Sequence, residues 1–273
     1  MERGKAENVR HKNVRLNVKN VSIVFGGLGA VTGFSATVYD GELVGLIGPN
    51  GAGKTTLFNM LSGLYKPTEG EILFCDRSGR EVNVCKKSAH SLSKIGISRT
   101  FQNIRLFGNM SVLDNVRVAL HPSRAYSPSD ALFRTGTFTR EERIMTEKAE
   151  RLLELFKLYG KREENAKNLP YGEQRKLEIA RALALSPKLL LLDEPAAGMN
   201  PQETHELMEM IDFIHKKFDL TIILIEHDMH LVMGVCERLI VLEYGKVIAE
   251  GAPAEIRANP QVVKAYLGSE ALS

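Results

Sequence analysis

The chain has 273 residues, 44% of them hydrophobic and 25% charged, with a formal net charge of +3. That length suits one large α/β domain or two small lobes. So mild a charge argues against a nucleic-acid-binding face, which needs a concentrated basic surface, and leaves a peripheral contact with another protein open. No run is apolar for long enough to span a bilayer.

Residues 1–15 are polar and basic without an apolar centre, so they do not read as a secretory signal. Residues 1–12 are expected to be a disordered lead-in. The three cysteines, Cys75, Cys85 and Cys236, are odd in number and fit no zinc spacing. They read as reduced, mostly packed thiols of a cytosolic protein.

In chain order, residues 18–25 and 34–39 predict strands around a turn at Gly26, Gly27, Leu28 and Gly29. Asp40-Gly41 is a hairpin turn signal. Residues 43–47 form a short buried strand that runs into a glycine-rich loop and a helix from Lys54 to about Leu61. Another strand is expected over 69–74. Residues 110–187 read as mostly helical, with Ala149, Leu152, Leu153, Leu155 and Phe156 on one helical face. The apolar runs 189–192 and 221–225, separated by a helix over 202–217, have the β-α-β order of a parallel sheet. A hairpin over 238–249 turns at Tyr244-Gly245, and 252–267 reads as two short helices.

Gly48-Pro49-Asn50-Gly51-Ala52-Gly53-Lys54-Thr55-Thr56 matches the phosphate-loop pattern in full and sits between strand and helix, where the mechanism needs it. Glycines let successive backbone N–H groups face phosphate oxygens, and the helix N-terminus adds its dipole. Lys54 is expected to reach the β- and γ-phosphates, and the Thr55 hydroxyl to ligate Mg²⁺. By itself the loop says only nucleoside triphosphate. The strand 189–192 ends in Asp193 and Glu194. Beside a phosphate loop, Asp193 can hold Mg²⁺ through water and Glu194 can act as general base toward the attacking water.

From about residue 13 to 267 the chain resembles the ABC ATPase family. Leu169-Pro170-Tyr171-Gly172-Glu173 stands where that family carries its signature before a helix. The form Leu-x-Tyr-Gly-x-Gln-Arg is similar to that of the branched-chain amino acid uptake ATPases. So are Leu177 to Ala182, the run from Asp193 to Asn200-Pro201, Phe25-Gly-Gly-Leu, Arg99-Thr-Phe-Gln102 and the polar insert 121–143. Pro170 removes a hydroxyl and an N–H from the signature, and Glu173 adds a negative charge.

The resemblance implies an α/β fold: a P-loop NTPase core with a mixed sheet, an N-terminal antiparallel β-subdomain and a helical subdomain. The implied single domain spans 13–270, with its core over 13–102 and 186–251, a helical subdomain at about 103–185 and a helical tail over 252–270. It further implies ATP and Mg²⁺ as cofactors, Phe25 stacking on adenine, and Gln102 contacting Mg²⁺ or the attacking water. His227 would bond the γ-phosphate, and Tyr171, Gly172 and Glu173 would cap the γ-phosphate held by a partner. Residues 196–200 match a loop that contacts that partner. Taken without the resemblance, Phe25 reads as strand core, Gln102 as a polar strand end and His227 as structural.

The implied partners are a second cassette (a related chain in the cell, with a homodimer open to the isolated chain), two transmembrane permease subunits and, indirectly, a solute-binding protein. No nucleic acid is expected. The expected place is peripheral, on the cytoplasmic face of the inner membrane. Ile104, Leu106, Phe107 and Met110 read equally as a permease contact or as packing between lobes. Alternatives are a urea or short-amide importer of the same plan, a non-transport ABC ATPase, and a P-loop kinase or GTPase, which would leave 168–182 unexplained.

Overall fold

The computed structural model describes residues 13–123 and 126–270. Its strands are β1 (Val14–Phe25), β2 (Leu28–Tyr39), β3 (Leu43–Ile47), β4 (Glu69–Cys75), β5 (Glu81–Asn83), β6 (Ile97–Arg99), β7 (Leu189–Asp193), β8 (Thr221–Ile225), β9 (Arg238–Glu243) and β10 (Lys246–Gly251). Its helices are α1 (Lys54–Leu61), α2 (Ala89–Ile95), α3 (Val112–Leu120), α4 (Pro128–Phe133), α5 (Gly136–Leu155), α6 (Tyr171–Ala184), α7 (Pro201–Phe218), α8 (Met229–Val235), α9 (Pro253–Ala258) and α10 (Pro260–Glu270).

An antiparallel sheet has the order β2-β1-β4-β5, and a second sheet has the order β10-β9-β3-β8-β7-β6. In the second sheet β3, β6, β7, β8 and β9 run parallel, and β10 is antiparallel to β9. Strands β3, β7 and β8 are buried at every residue, as strands covered on both faces must be. Their alternate side chains divide between two cores. Leu43, Ile47, Leu190, Leu192, Ile222 and Leu224 pack with α3 and α5–α8, while Val44, Leu46, Leu189, Leu191, Ile223 and Ile225 pack with α1 and the antiparallel sheet.

Helices α3 to α6 lie in sequence between β6 and β7, which are neighbours in the sheet. Helix α7 makes the crossover from β7 to parallel β8, started by Asn200, which accepts from Glu203 N–H at 3.0 Å, with Pro201 at the first helical position. The tail forms α9 and α10, close to the two short helices expected there.

Some expectations need correction. The turn after Phe25 is only Gly26-Gly27, both at positive φ, so Leu28 and Gly29 already belong to β2. Strand β1 starts at Val14, four residues before the expected start. Asp40-Gly41 closes no hairpin, because β2 and β3 belong to different sheets. It carries the chain between the sheets, with Gly41 N–H donating to Thr221 Oγ1 at 3.1 Å. Elements β5 and α2 were not expected, and β6 was implied only by reading Gln102 as a strand end, whereas it stops at Arg99 and leaves Gln102 in the connection beyond it. Each is seven residues or shorter, too brief to show a period.

Candidate functional site

The loop 48–53 leaves β3 and enters α1. A Cβ at Gly48 would lie 2.1 Å from the Leu242 carbonyl oxygen, and one at Gly53 would lie 2.6 Å from that of Ala30. Both residues also have positive φ, so the curl demands glycine at both ends. The β9–β10 turn braces the loop, with Gly245 N–H donating to Ala52 O at 2.9 Å. Buried Lys54 opens α1, and its Nζ donates to Gly48 O at 2.6 Å and Pro49 O at 3.0 Å. Burial lowers the Lys54 pKa, and the charge of Glu194 opposes that shift. A cleft of about 470 Å³ opens here. Its lining comprises Asn50, Gly51, Ala52, Gly53, Lys54, Thr55 and Thr56 from the loop and α1, residues 28–30 of β2, Glu194 and Tyr244.

Strand β7 delivers the two acids. Asp193 is buried, and its Oδ2 accepts from Arg99 Nη2 at 2.6 Å. The same guanidinium donates through Nη1 to Asn59 Oδ1 and Ser62 Oγ, each at 2.7 Å, so Arg99 joins β7 to α1. Glu194 has φ 44°, a left-handed conformation that costs a non-glycine residue about 1 kcal/mol or more. Its N–H donates to Ile225 O at 2.9 Å, which holds the turn in place. Glu194 Oε2 accepts from Gln102 Nε2 at 2.7 Å and lies 3.8 Å from His227 Nδ1. Residues 92 and 33 positions apart in sequence thus converge on Glu194, which lines the cleft.

Thr55, Asp193 and Gln102 offer hydroxyl, carboxylate and amide oxygens, the hard donors that suit Mg²⁺. Phe25 is 46% exposed and stacks edge-on with Tyr65 at 5.3 Å, so it is not strand core. It is not among the residues lining the cleft, although its hairpin neighbour Leu28 is. Tyr171, Gly172 and Glu173 form the first turn of α6 and do not line the cleft either. The charge on Glu173 is met by Lys161, whose Nζ donates to it at 2.7 and 2.8 Å. Leu106 packs against the helical core, while Phe107 is half-exposed beneath the Arg181 guanidinium.

Several site residues escaped the sequence reading. Arg99 was noted only as part of a motif, and Tyr244 only as a turn residue, yet Tyr244 is 80% exposed on the cleft wall. Glu226 is buried beside His227 and accepts from the backbone N–H of Ala196 at 2.7 Å and of His227 at 3.2 Å. Burial raises its pKa, and those N–H donors oppose the rise. The pattern Glu226-His227-Asp228 directly after an apolar strand was the available signal.

A strand, a glycine loop that cradles phosphate and a helix, beside a second strand ending in paired acids, define a P-loop nucleoside triphosphatase. The sequence matches the ABC transporter family over residues 31–197. This chain therefore belongs to the ABC transporter family and is an ATP-binding, ATP-hydrolysing cassette. Residues 246–271 also match the branched-chain amino acid ATP-binding cassette transporter family. The high-affinity branched-chain amino acid transport ATP-binding protein LivG of Escherichia coli (strain K12) is 44% identical over 253 residues, covering 93% of this chain and 97% of that protein. BraF of Pseudomonas aeruginosa, with the same description, shows the same identity and coverage. An ATP-binding cassette of an ABC transporter solved in its ADP conformation superposes with a TM-score of 0.79 at 32% identity, covering 93% of this chain and 99% of that one.

Proposed function

We propose that this chain powers the import of branched-chain amino acids by closing over ATP with a second cassette. The observation that carries the chemistry is the meeting of Gln102 and His227 on Glu194, at the cleft formed by the phosphate loop. The solute follows from the 44% identity to two transport subunits for branched-chain amino acids and from the match over 246–271.

In this reading the N–H groups of residues 48–56 and the Lys54 ammonium bind the ATP phosphates. Mg²⁺, held by Thr55, Asp193 and Gln102, would supply charge neutralisation across those phosphates. Glu194 accepts the proton of the attacking water, while Gln102 and His227 orient the water and the γ-phosphate. Phe25 supplies a stacking face for adenine at the cleft mouth. Tyr171, Gly172 and Glu173 cover the γ-phosphate held by the other cassette. The position of these residues in the first turn of α6, where free N–H groups can meet an anion, supports that reading. So does likeness to a cassette solved as a dimer with ADP and Pi after hydrolysis, at 25% identity and a TM-score of 0.70. Hydrolysis removes the shared phosphate and lets the cassettes part.

The partners are a related cassette, two permease subunits and, through them, a solute-binding protein. The chain would sit peripherally on the cytoplasmic face of the membrane; among the described residues no helix is long and apolar enough to cross it. Within the domain, 13–102 with 186–251 would act as the catalytic core and 103–185 as the lobe that meets both partners.

Glu194→Gln is expected to bind ATP, accumulate as an ATP-bound dimer by light scattering, and hydrolyse about 10²- to 10⁴-fold more slowly. Near-normal turnover would remove Glu194 as the base. In the assembled transporter, binding protein loaded with leucine, isoleucine or valine should stimulate hydrolysis; stimulation by urea instead would move the chain to the short-amide importers.

A further inference from the structure

Residues 100–110 carry Gln102 to Glu194 but form no helix or strand of their own. Their backbone groups must find partners elsewhere, and two side chains of α6 supply four of the bonds. Arg175 Nη1 donates to Phe101 O at 2.7 Å, and Nη2 donates to Gln102 O at 2.7 Å. Glu178 Oε1 accepts from the N–H of Phe101 at 3.4 Å and of Arg105 at 3.3 Å. The two side chains are paired through Arg175 Nη1 and Glu178 Oε2 at 2.7 Å, and their exposures are 0% and 1%.

A pair so deeply buried is hard to account for by stability. Apolar side chains of similar volume would fill the space without desolvating two charges, and Arg175 Nε has no hydrogen-bond partner. What the pair does provide is direction. The planar fork of Arg175 fixes two successive carbonyls at once, and so fixes the point from which the Gln102 side chain departs. Arg175 Nη2 also donates to the Tyr171 hydroxyl at 3.3 Å, in the turn that opens α6.

We propose that Arg175 and Glu178 are a positioning pair that sets Gln102 against Glu194 and ties that setting to the first turn of α6. Neither residue reaches the reacting atoms. Any displacement of the Tyr171-Gly172 turn, as when it meets a partner's nucleotide, is passed through the Arg175 fork to the backbone of Gln102. This rests on the proposed reading of Glu194 and Gln102 as hydrolytic residues.

The test replaces the pair by apolar side chains, Arg175→Met with Glu178→Leu, in the full chain. Thermal unfolding, ATP affinity and turnover are measured beside Glu194→Gln and Gln102→Ala. The apolar pair leaves Phe101 N–H, Phe101 O, Gln102 O and Arg105 N–H without these partners, so the melting temperature should fall. In the still-folded variant a positioning role predicts an ATP Kd close to the parent's, while kcat falls by about tenfold to a hundredfold. Adding Gln102→Ala to the double variant should then cost little more, because the two act through one group. Parental kcat in the stably folded double variant, or losses that multiply with Gln102→Ala, would overturn the proposal. If the double variant does not fold, Arg175→Lys decides. It keeps the charge but not the fork, so reduced kcat at unchanged Kd supports the role and parental kcat defeats it. Full turnover by Glu194→Gln would instead mean that the hydrolytic reading itself has failed.

Discussion

Strands β3, β7 and β8 bury every residue and do so almost entirely with aliphatic side chains, whereas residues 100–110 rely on three buried polar side chains from helices for many of their backbone bonds, beside backbone bonds to Leu191, Ala166 and Lys167. Buried Asn115 accepts from Phe107 N–H at 2.9 Å and donates to Phe107 O at 3.1 Å and Ser111 O at 2.9 Å. Arg175 and Glu178 are the other two. Aliphatic burial is non-directional and makes a rigid platform from which the phosphate loop, Asp193 and Glu194 project. Polar anchoring is directional and concentrated in a few bonds, so it specifies one place for Gln102 while leaving a segment that few changes would release. The platform and the segment meet at Glu194 Oε2.

Lys54→Ala attacks the chemistry of the platform without touching its core. If Lys54 bonds phosphate as proposed, removing its charge should cost about 2–5 kcal/mol of ATP binding, which titration calorimetry would read directly. Retained affinity would end the phosphate-loop assignment. Leu190→Ala attacks the platform itself. The cavity should cost about 2–5 kcal/mol of global stability in denaturant melts, with loss of ATP binding only through unfolding.

Asn115→Ala attacks the segment. The Phe107 N–H would lose its partner, while Phe107 O and Ser111 O keep backbone donors in Met110 and residue 115. The one unpaired N–H should cost about 1–3 kcal/mol, and hydrogen exchange should speed at 105–111 while β7 and β8 stay protected. Uniform loss of protection would erase the contrast between the two regions.

The smallest expected effect concerns Glu226. Its folded-state pKa is raised by burial, so between the usual glutamate value and the raised value the folded chain holds the extra proton. Stability at this site is therefore full below the usual value and falls as pH rises through the raised one. Glu226→Gln cannot ionise and should flatten that part of the stability–pH curve; an unchanged slope would show that Glu226 does not contribute to it.

Much of the platform was legible in the sequence because its causes are local. The glycine spacing of 48–53 dictates the curl whatever surrounds it, and a run such as Leu189 to Leu192 can only be buried. The cluster of Gln102, Glu194 and His227 was legible only in part. Glu194 could be read from the strand it ends, but its contacts with Gln102 and His227 span 92 and 33 residues, and Gln102 and His227 were singled out through the family resemblance alone.

The sequence by itself determined the phosphate loop, and with it a nucleoside triphosphate as ligand, since both follow from neighbours within a few residues. The β-α-β order of 189–225 followed from the pattern of apolar runs, and the family resemblance supplied the reaction. Tertiary structure alone decided that Asp40-Gly41 passes the chain between sheets, that Arg99 pairs with Asp193, and that Arg175 and Glu178 are interior side chains. A charged residue on an amphipathic helix such as α6 reads as solvent-facing. Only the arrival of a distant backbone or an opposite charge repays its desolvation, and no local pattern encodes that arrival.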